Sequence, residues 1–113
     1  MKTFENGGKI ITSPVAALEL KSVLSRTTNL GVDEIEAFVD YLPEINVEIP
    51  EVDMDRIIRN ALEIAVGIRM KTLDLLHISA CMVLEADAII TFDREFMEKE
   101  KEIANFGLTI KSG

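Results

Sequence analysis

Ala88-Ile89-Ile90-Thr91-Phe92-Asp93 is an unbroken apolar run of strand length that ends in an acid. Continuous rather than alternating apolarity marks a parallel strand covered on both faces. In open α/β sheets, ligands bind just beyond the carboxyl ends of such strands, which makes Asp93 a candidate site residue. Downstream, a helix is predicted over residues 94–105, ended by Phe106-Gly107 with Gly107 as a left-handed cap, and residues 108–110 form a last strand. Immediately upstream, Thr72 caps a helix over residues 73–85.

The same punctuation continues toward the start of the chain. Asp53 caps a helix carrying Ile57, Ile58, Ala61, Leu62, Ala65 and Ile68, which is expected to end near Lys71. Ile45, Val47 and Ile49 alternate with Asn46 and Glu48, as in a half-exposed strand near a sheet edge that Pro50 closes. Ile35, Phe38, Val39 and Leu42 recur at helical spacing behind an acidic first turn, and Pro43 stops that helix. Ser13-Pro14 is an N-cap with proline at the first helical position, so a helix is expected over residues 14–26, after a short strand at residues 9–12. Residues 1–8 read as a short polar segment, too few and too polar for a buried strand plus a helix, ahead of one domain at residues 9–113. Strands alternating with helices give an α/β layer structure around a mostly parallel sheet.

Composition narrows the function classes. The 113 residues and 12.6 kDa suit one domain, and 48% hydrophobic residues exclude linker-like or disordered classes. No apolar run approaches the roughly 20 residues of a membrane span, and no secretory signal follows Met1, so a cytoplasmic location is the expectation. A single cysteine, Cys81, makes no internal disulfide and no thiol metal cluster. The net charge of -8 is the wrong sign for holding nucleic acid by phosphate neutralisation alone, unless bound metal or a local cationic strip offsets it.

Three further residues stand out. Glu19 borders the apolar face of its helix, beside Val15, Ala16, Ser22 and Val23, and a carboxylate there needs a cation: a basic partner such as Lys21 or Arg26, or a metal. Asp74 falls in the first turn of its helix, where backbone N–H groups and the helix dipole favour an acid whatever its role. His77, one turn on, has a structural reading as well as one as ligand or base. Asp93 likewise serves equally well as a plain helix cap.

Taken together, Leu73-Asp74-Leu75-Leu76-His77-Ile78-Ser79-Ala80, then Ala86-Asp87 and Ala88 to Asp93-Arg94-Glu95-Phe96, resemble the PIN-domain nuclease family, with its helical Asp and its TxDxxF order. Ser13-Pro14-Val15-Ala16-Ala17-Leu18-Glu19-Leu20 resembles the strand-to-helix junction that carries the family's helical Glu. The resemblance implies a three-layer fold and a cluster of acids holding Mg²⁺ or Mn²⁺, which activates water and stabilises the leaving oxygen in phosphodiester hydrolysis. It assigns Glu19, Asp74 and Asp93 as catalytic and metal-ligating residues, with Thr91 and His77 supporting them and Asp87 and Glu95 as structural neighbours. Lys21, Arg26 and Arg94 are candidate phosphate contacts.

The family's first acid ends a central first strand, and the resemblance implies that this chain lacks that strand and its helix. Their absence would expose apolar edges and favour a homodimer or higher oligomer. The implied function is a divalent-metal-dependent ribonuclease that resembles the toxins of toxin-antitoxin pairs, with RNA as substrate and an antitoxin protein as partner. The alternative is an inactive remnant that keeps the core for oligomerisation or antitoxin binding. A phosphatase or receiver domain is disfavoured, because Asp93-Arg94-Glu95 lacks the DxD spacing of the former and no strand-end lysine follows for the latter.

Overall fold

A computed structural model of the chain describes residues 2–91 and 93–112. It is an α/β structure with one mixed five-stranded sheet, flanked by helices, in the order β3-β2-β1-β4-β5. The strands are β1 (Thr3–Asn6), β2 (Lys9–Ile11), β3 (Val47–Glu48), β4 (Ala88–Thr91) and β5 (Thr109–Ser112). The helices are α1 (Pro14–Thr27), α2 (Val32–Asp40), α3 (Met54–Ile64), α4 (Thr72–Val83), α5 (Arg94–Met97) and α6 (Glu100–Ala104), with a 3-10 turn at Leu42–Ile45.

The main correction concerns the first eight residues. They do contribute a strand to the sheet, and it is the central one: β1 pairs antiparallel with β2 (Phe4 opposite Ile11) and with β4 (Phe4 opposite Ile89). Asn6-Gly7-Gly8-Lys9 makes this possible. Gly7 and Gly8 both take positive φ (57° and 84°), which is what a two-residue hairpin turn between right-twisted strands requires. Strands β2 to β5 share one direction, since β2 and β3 are parallel, β4 and β5 are parallel, and β1 is reversed against both β2 and β4. The gap that argued for self-association is therefore filled from within the chain. Phe4, fully buried, seals it and joins a core of Ile11, Ile57, Ile78, Ile89, Phe96 and Ile103.

Most helix starts follow their caps. Ser13 Oγ accepts from the Ala16 N–H at 3.1 Å, and Asp53 Oδ1 accepts from the N–H groups of Asp55 and Arg56 at 3.0 and 3.3 Å. Three boundaries move. Rather than near Lys71, the third helix stops at Ile64, after which the chain turns through Ala65, Val66 and Gly67. Thr72 is the first residue of α4 rather than its cap, which is Lys71. The final helix divides at Glu98-Lys99 into α5 and α6. The β3 edge position agrees with its alternating sequence, although only two residues pair, and Gly107 takes positive φ (79°) behind α6. Phe92, placed in the fourth strand by its sequence, lies outside the described residues.

Candidate functional site

The reversed β1 carries its first residues to the carboxyl ends of β2 and β4. The side chains that meet there come from five separate stretches: Lys2, Thr12, Glu19 on α1, Asp74 and His77 on α4, and Thr91 at the end of β4 with Asp93 just beyond it. Thr12, fully buried, donates its hydroxyl to the Lys2 carbonyl at 2.9 Å and so fixes the start of β1. The buried Lys2 ammonium lies 3.6 Å from Asp74 Oδ1 and 3.8 Å from Asp93 Oδ2, at ion-pair rather than hydrogen-bond distance, and 5.3 Å from the centre of the Phe96 ring.

Asp74 and Asp93 thus share one cation, and Glu19 is close enough to act on both α4 residues. Burial raises the Asp74 carboxyl above the usual range; Lys2 opposes the rise, and the charges of Asp93 and Glu19 add to it. The Glu19 Oε1 lies 3.4 Å from His77 Nε2, but the contact lacks hydrogen-bond alignment, and both ring nitrogens of the fully buried His77 are without a hydrogen-bond partner. Burial, reinforced by the Lys2 charge and resisted by Glu19, pushes the imidazole down to about 4, so His77 is neutral at pH 7.

Asp93 does two things at once. Its Oδ1 caps α5 by accepting from the N–H groups of Glu95 and Phe96 at 3.0 and 3.4 Å, while Oδ2 faces Lys2. Thr91, buried, accepts the Asp93 N–H on its hydroxyl at 3.0 Å and so sets the backbone that aims this carboxylate.

The remaining candidates divide. Lys21 turns to α2 and pairs with Glu36 at 2.9 Å, and the exposed Arg26 contacts Ser22 at 3.4 Å, two helical turns beyond Glu19. Neither compensates Glu19, and neither lies among the acids. Arg94, exposed, adjoins Asp93 at the first position of α5. Glu95 pairs with Lys71 at 3.2 Å on the surface. Asp87 stands at the opposite end of β4, where its Oδ2 accepts the Gly7 N–H at 3.3 Å and its own N–H donates to the Glu5 carbonyl at 2.8 Å, holding the hairpin turn.

Sequence reasoning missed Lys2 and the cleft beside Asp74. The signal for Lys2 was the Asn6-Gly7 turn, which reverses β1 and so delivers the lysine to the acids. A cleft of about 520 Å³ opens next to Asp74, with Arg69, Lys71 and Lys99 on its walls among Glu95 and Glu98. Its walls carry three basic and three acidic side chains, and Lys71 is paired with Glu95, so the cleft is charge-balanced in a chain of net charge -8.

Three carboxylates are the hard oxygen donors that Mg²⁺ and Mn²⁺ prefer. In this arrangement they do not close on a metal: among the described residues no three His, Cys, Asp or Glu side chains come to ligand spacing, and an ammonium stands between two of the acids. Also among the described residues, no helix is long and apolar enough to cross a membrane.

No curated protein matches the chain with significance. A family model, that of the PIN domain, matches residues 1–102, which includes β1 as well as every acid of the cleft. The chain belongs to the PIN domain family, whose members are in general metal-dependent nucleases.

Proposed function

We propose that this chain is a divalent-metal-dependent ribonuclease of the toxin-antitoxin type, hydrolysing RNA phosphodiester bonds at Glu19, Asp74 and Asp93, with Mg²⁺ or Mn²⁺ as cofactor. The observation that carries the reading is the meeting of these three acids at the carboxyl end of the sheet in a PIN-family fold. Thr91 positions Asp93, and Arg69 and Lys99 on the cleft beside Asp74 are candidate phosphate contacts in a chain whose net charge is negative. An antitoxin, or a second copy of the chain, has apolar side chains to cover: Leu18, Val32, Phe38 and Tyr41 are exposed around α1 and α2. A cytoplasmic location is part of the same proposal.

The test is Mn²⁺-stimulated cleavage of single-stranded RNA by the wild type and by Asp93→Asn, which keeps the helix cap and removes the charge. The reading expects Asn to lose at least about tenfold in rate, as a lost transition-state contact does; equal rates would refute it. A second reading, a PIN core used only for protein contacts, is favoured by the Lys2 ammonium standing between Asp74 and Asp93. Calorimetric titration with Mn²⁺ separates the two, because an inert core binds no metal at the carboxylates.

A further inference from the structure

The acids of the cleft already have a cation, and it belongs to the polypeptide. Lys2 is buried, its carbonyl is pinned by Thr12, its ammonium lies 3.6 and 3.8 Å from two carboxylates, and the Phe96 ring backs it at 5.3 Å. A lysine drawn in by chance on a surface has none of these fixtures. Its position follows from the reversed direction of β1, which brings Lys2 level with Thr91 and Ser13 in the register that pairs Phe4 with Ile89 and Ile11.

We propose that Lys2 is an intramolecular counter-ion which occupies the divalent metal's place in the acidic cleft, so that metal reaches Asp74 and Asp93 only when the ammonium leaves. The inference rests on the proposal above that this cleft is the metal site. Two features leave room for the exchange. Among the described residues one lysine is all that pairs with both Asp74 and Asp93, and His77 stays buried beside Glu19 with both nitrogens unpartnered. The site therefore tolerates the lysine without being satisfied by it. Lys2 lies just ahead of Thr3, the first residue of β1, so its ammonium can leave while the pairings of Thr3 to Asn6 stay in place. Metal availability and the docking of Lys2 are then linked equilibria: whatever holds the ammonium at the acids weakens metal binding, and metal displaces it.

The experiment uses the full chain and Mn²⁺ alone as probe. Titration calorimetry compares the wild type with Lys2→Met, which keeps an unbranched chain of four heavy atoms and removes the ammonium, and with Lys2→Arg, which keeps the charge. Lys2→Met is expected to bind Mn²⁺ at least about tenfold more tightly than the wild type, with Lys2→Arg like the wild type, since a unit charge at contact distance is removed only in the first. Equal Mn²⁺ affinity in the wild type and Lys2→Met overturns the proposal. Melting temperatures form a second arm. Lys2→Met is expected to melt lower than the wild type, and adding Asp74→Asn to it is expected to raise the melting temperature again, because the stranded carboxylate is gone. If neither protein binds Mn²⁺ but this rescue is seen, the metal reading of the cleft fails while Lys2 stands as its permanent cation. If the rescue is not seen, the counter-ion is refuted whatever the calorimetry shows.

Discussion

Replacing Phe4 by alanine puts the central strand to the test. Phe4 is fully buried, pairs with Ile11 on one side and Ile89 on the other, and belongs to the main apolar cluster. Truncating a buried Phe to Ala costs about 3–5 kcal/mol, transfer and cavity together. That is a large share of the roughly 5–15 kcal/mol that holds a domain of this size folded. At about 4 °C per kcal/mol for a chain of this length, the melting temperature is expected to fall by about 12–20 °C. Phe4→Leu, which refills most of the volume, is expected to cost only about 1 kcal/mol. Urea unfolding followed by circular dichroism measures both. A loss below about 1 kcal/mol for Phe4→Ala would show that the first residues are not built into the sheet, and the account of Lys2 would fall with them.

Four other outcomes follow from the same geometry. Because the folded-state pKa of His77 is depressed to about 4, the unfolded chain binds a proton between about pH 6.5 and 4 that the native chain refuses. The His77 contribution of about 3 kcal/mol is full above pH 6.5 and lost as pH falls to 4, while Asp74, whose pKa is raised by burial, acts in the opposite sense above the ordinary carboxylate range. A stability profile of His77→Gln that keeps the full wild-type slope would sink this assignment. Asp93→Ala is expected to cost about 1 kcal/mol more than Asp93→Asn in chemical denaturation, because only Asn still accepts the N–H groups of Glu95 and Phe96. Ser79→Ala is expected to lose about 1–3 kcal/mol by the same assay, since the buried hydroxyl both donates to the Ile57 carbonyl at 2.6 Å and accepts from Asn60 at 3.1 Å. Cys81, buried and pushed up to about 12, is expected to react with a thiol reagent at pH 8 only at the rate of unfolding.

Where a helix starts was legible because a cap is a local event. Ser13 with Pro14, Asp53 and Asp93 each bond to N–H groups two or three residues away, so a few letters suffice. The break between α3 and α4 was less so, since the apolar spacing runs on through Ala65 and Ile68 after the helix has stopped at Ile64. Strand β1 was the chief miss. Only Phe4 of its four residues is fully buried, and its place between β2 and β4 is set by pairings with residues more than eighty positions away. The turn was nevertheless readable: Asn6-Gly7-Gly8 between Phe4 and Ile10 is a hairpin signal of the plainest kind. Lys2 then follows from the turn, whereas a reading that keeps β1 out of the sheet sees a charged tail.

The acids can be weighed against their structural explanations one by one. For Asp93 the cap accounts for one carboxylate oxygen, but not for the other, which faces Lys2. For Glu19 the two basic neighbours on its own helix are engaged elsewhere, Lys21 with Glu36 and Arg26 with Ser22, so its proximity to His77 has no local ion pair behind it. For Asp74 a place in the first turn of α4 would lower the carboxyl, yet burial raises it even with an ammonium at 3.6 Å. Each surplus is directed at the same group of side chains, and among the described residues Lys2 is the one cation within 4 Å of Asp74 and Asp93. An assembly selected for stability alone would exchange such a cluster for apolar side chains, which costs less than burying under-compensated charge. Such a cluster at the carboxyl end of a sheet is the pattern expected of a site whose charge is completed by something that comes and goes.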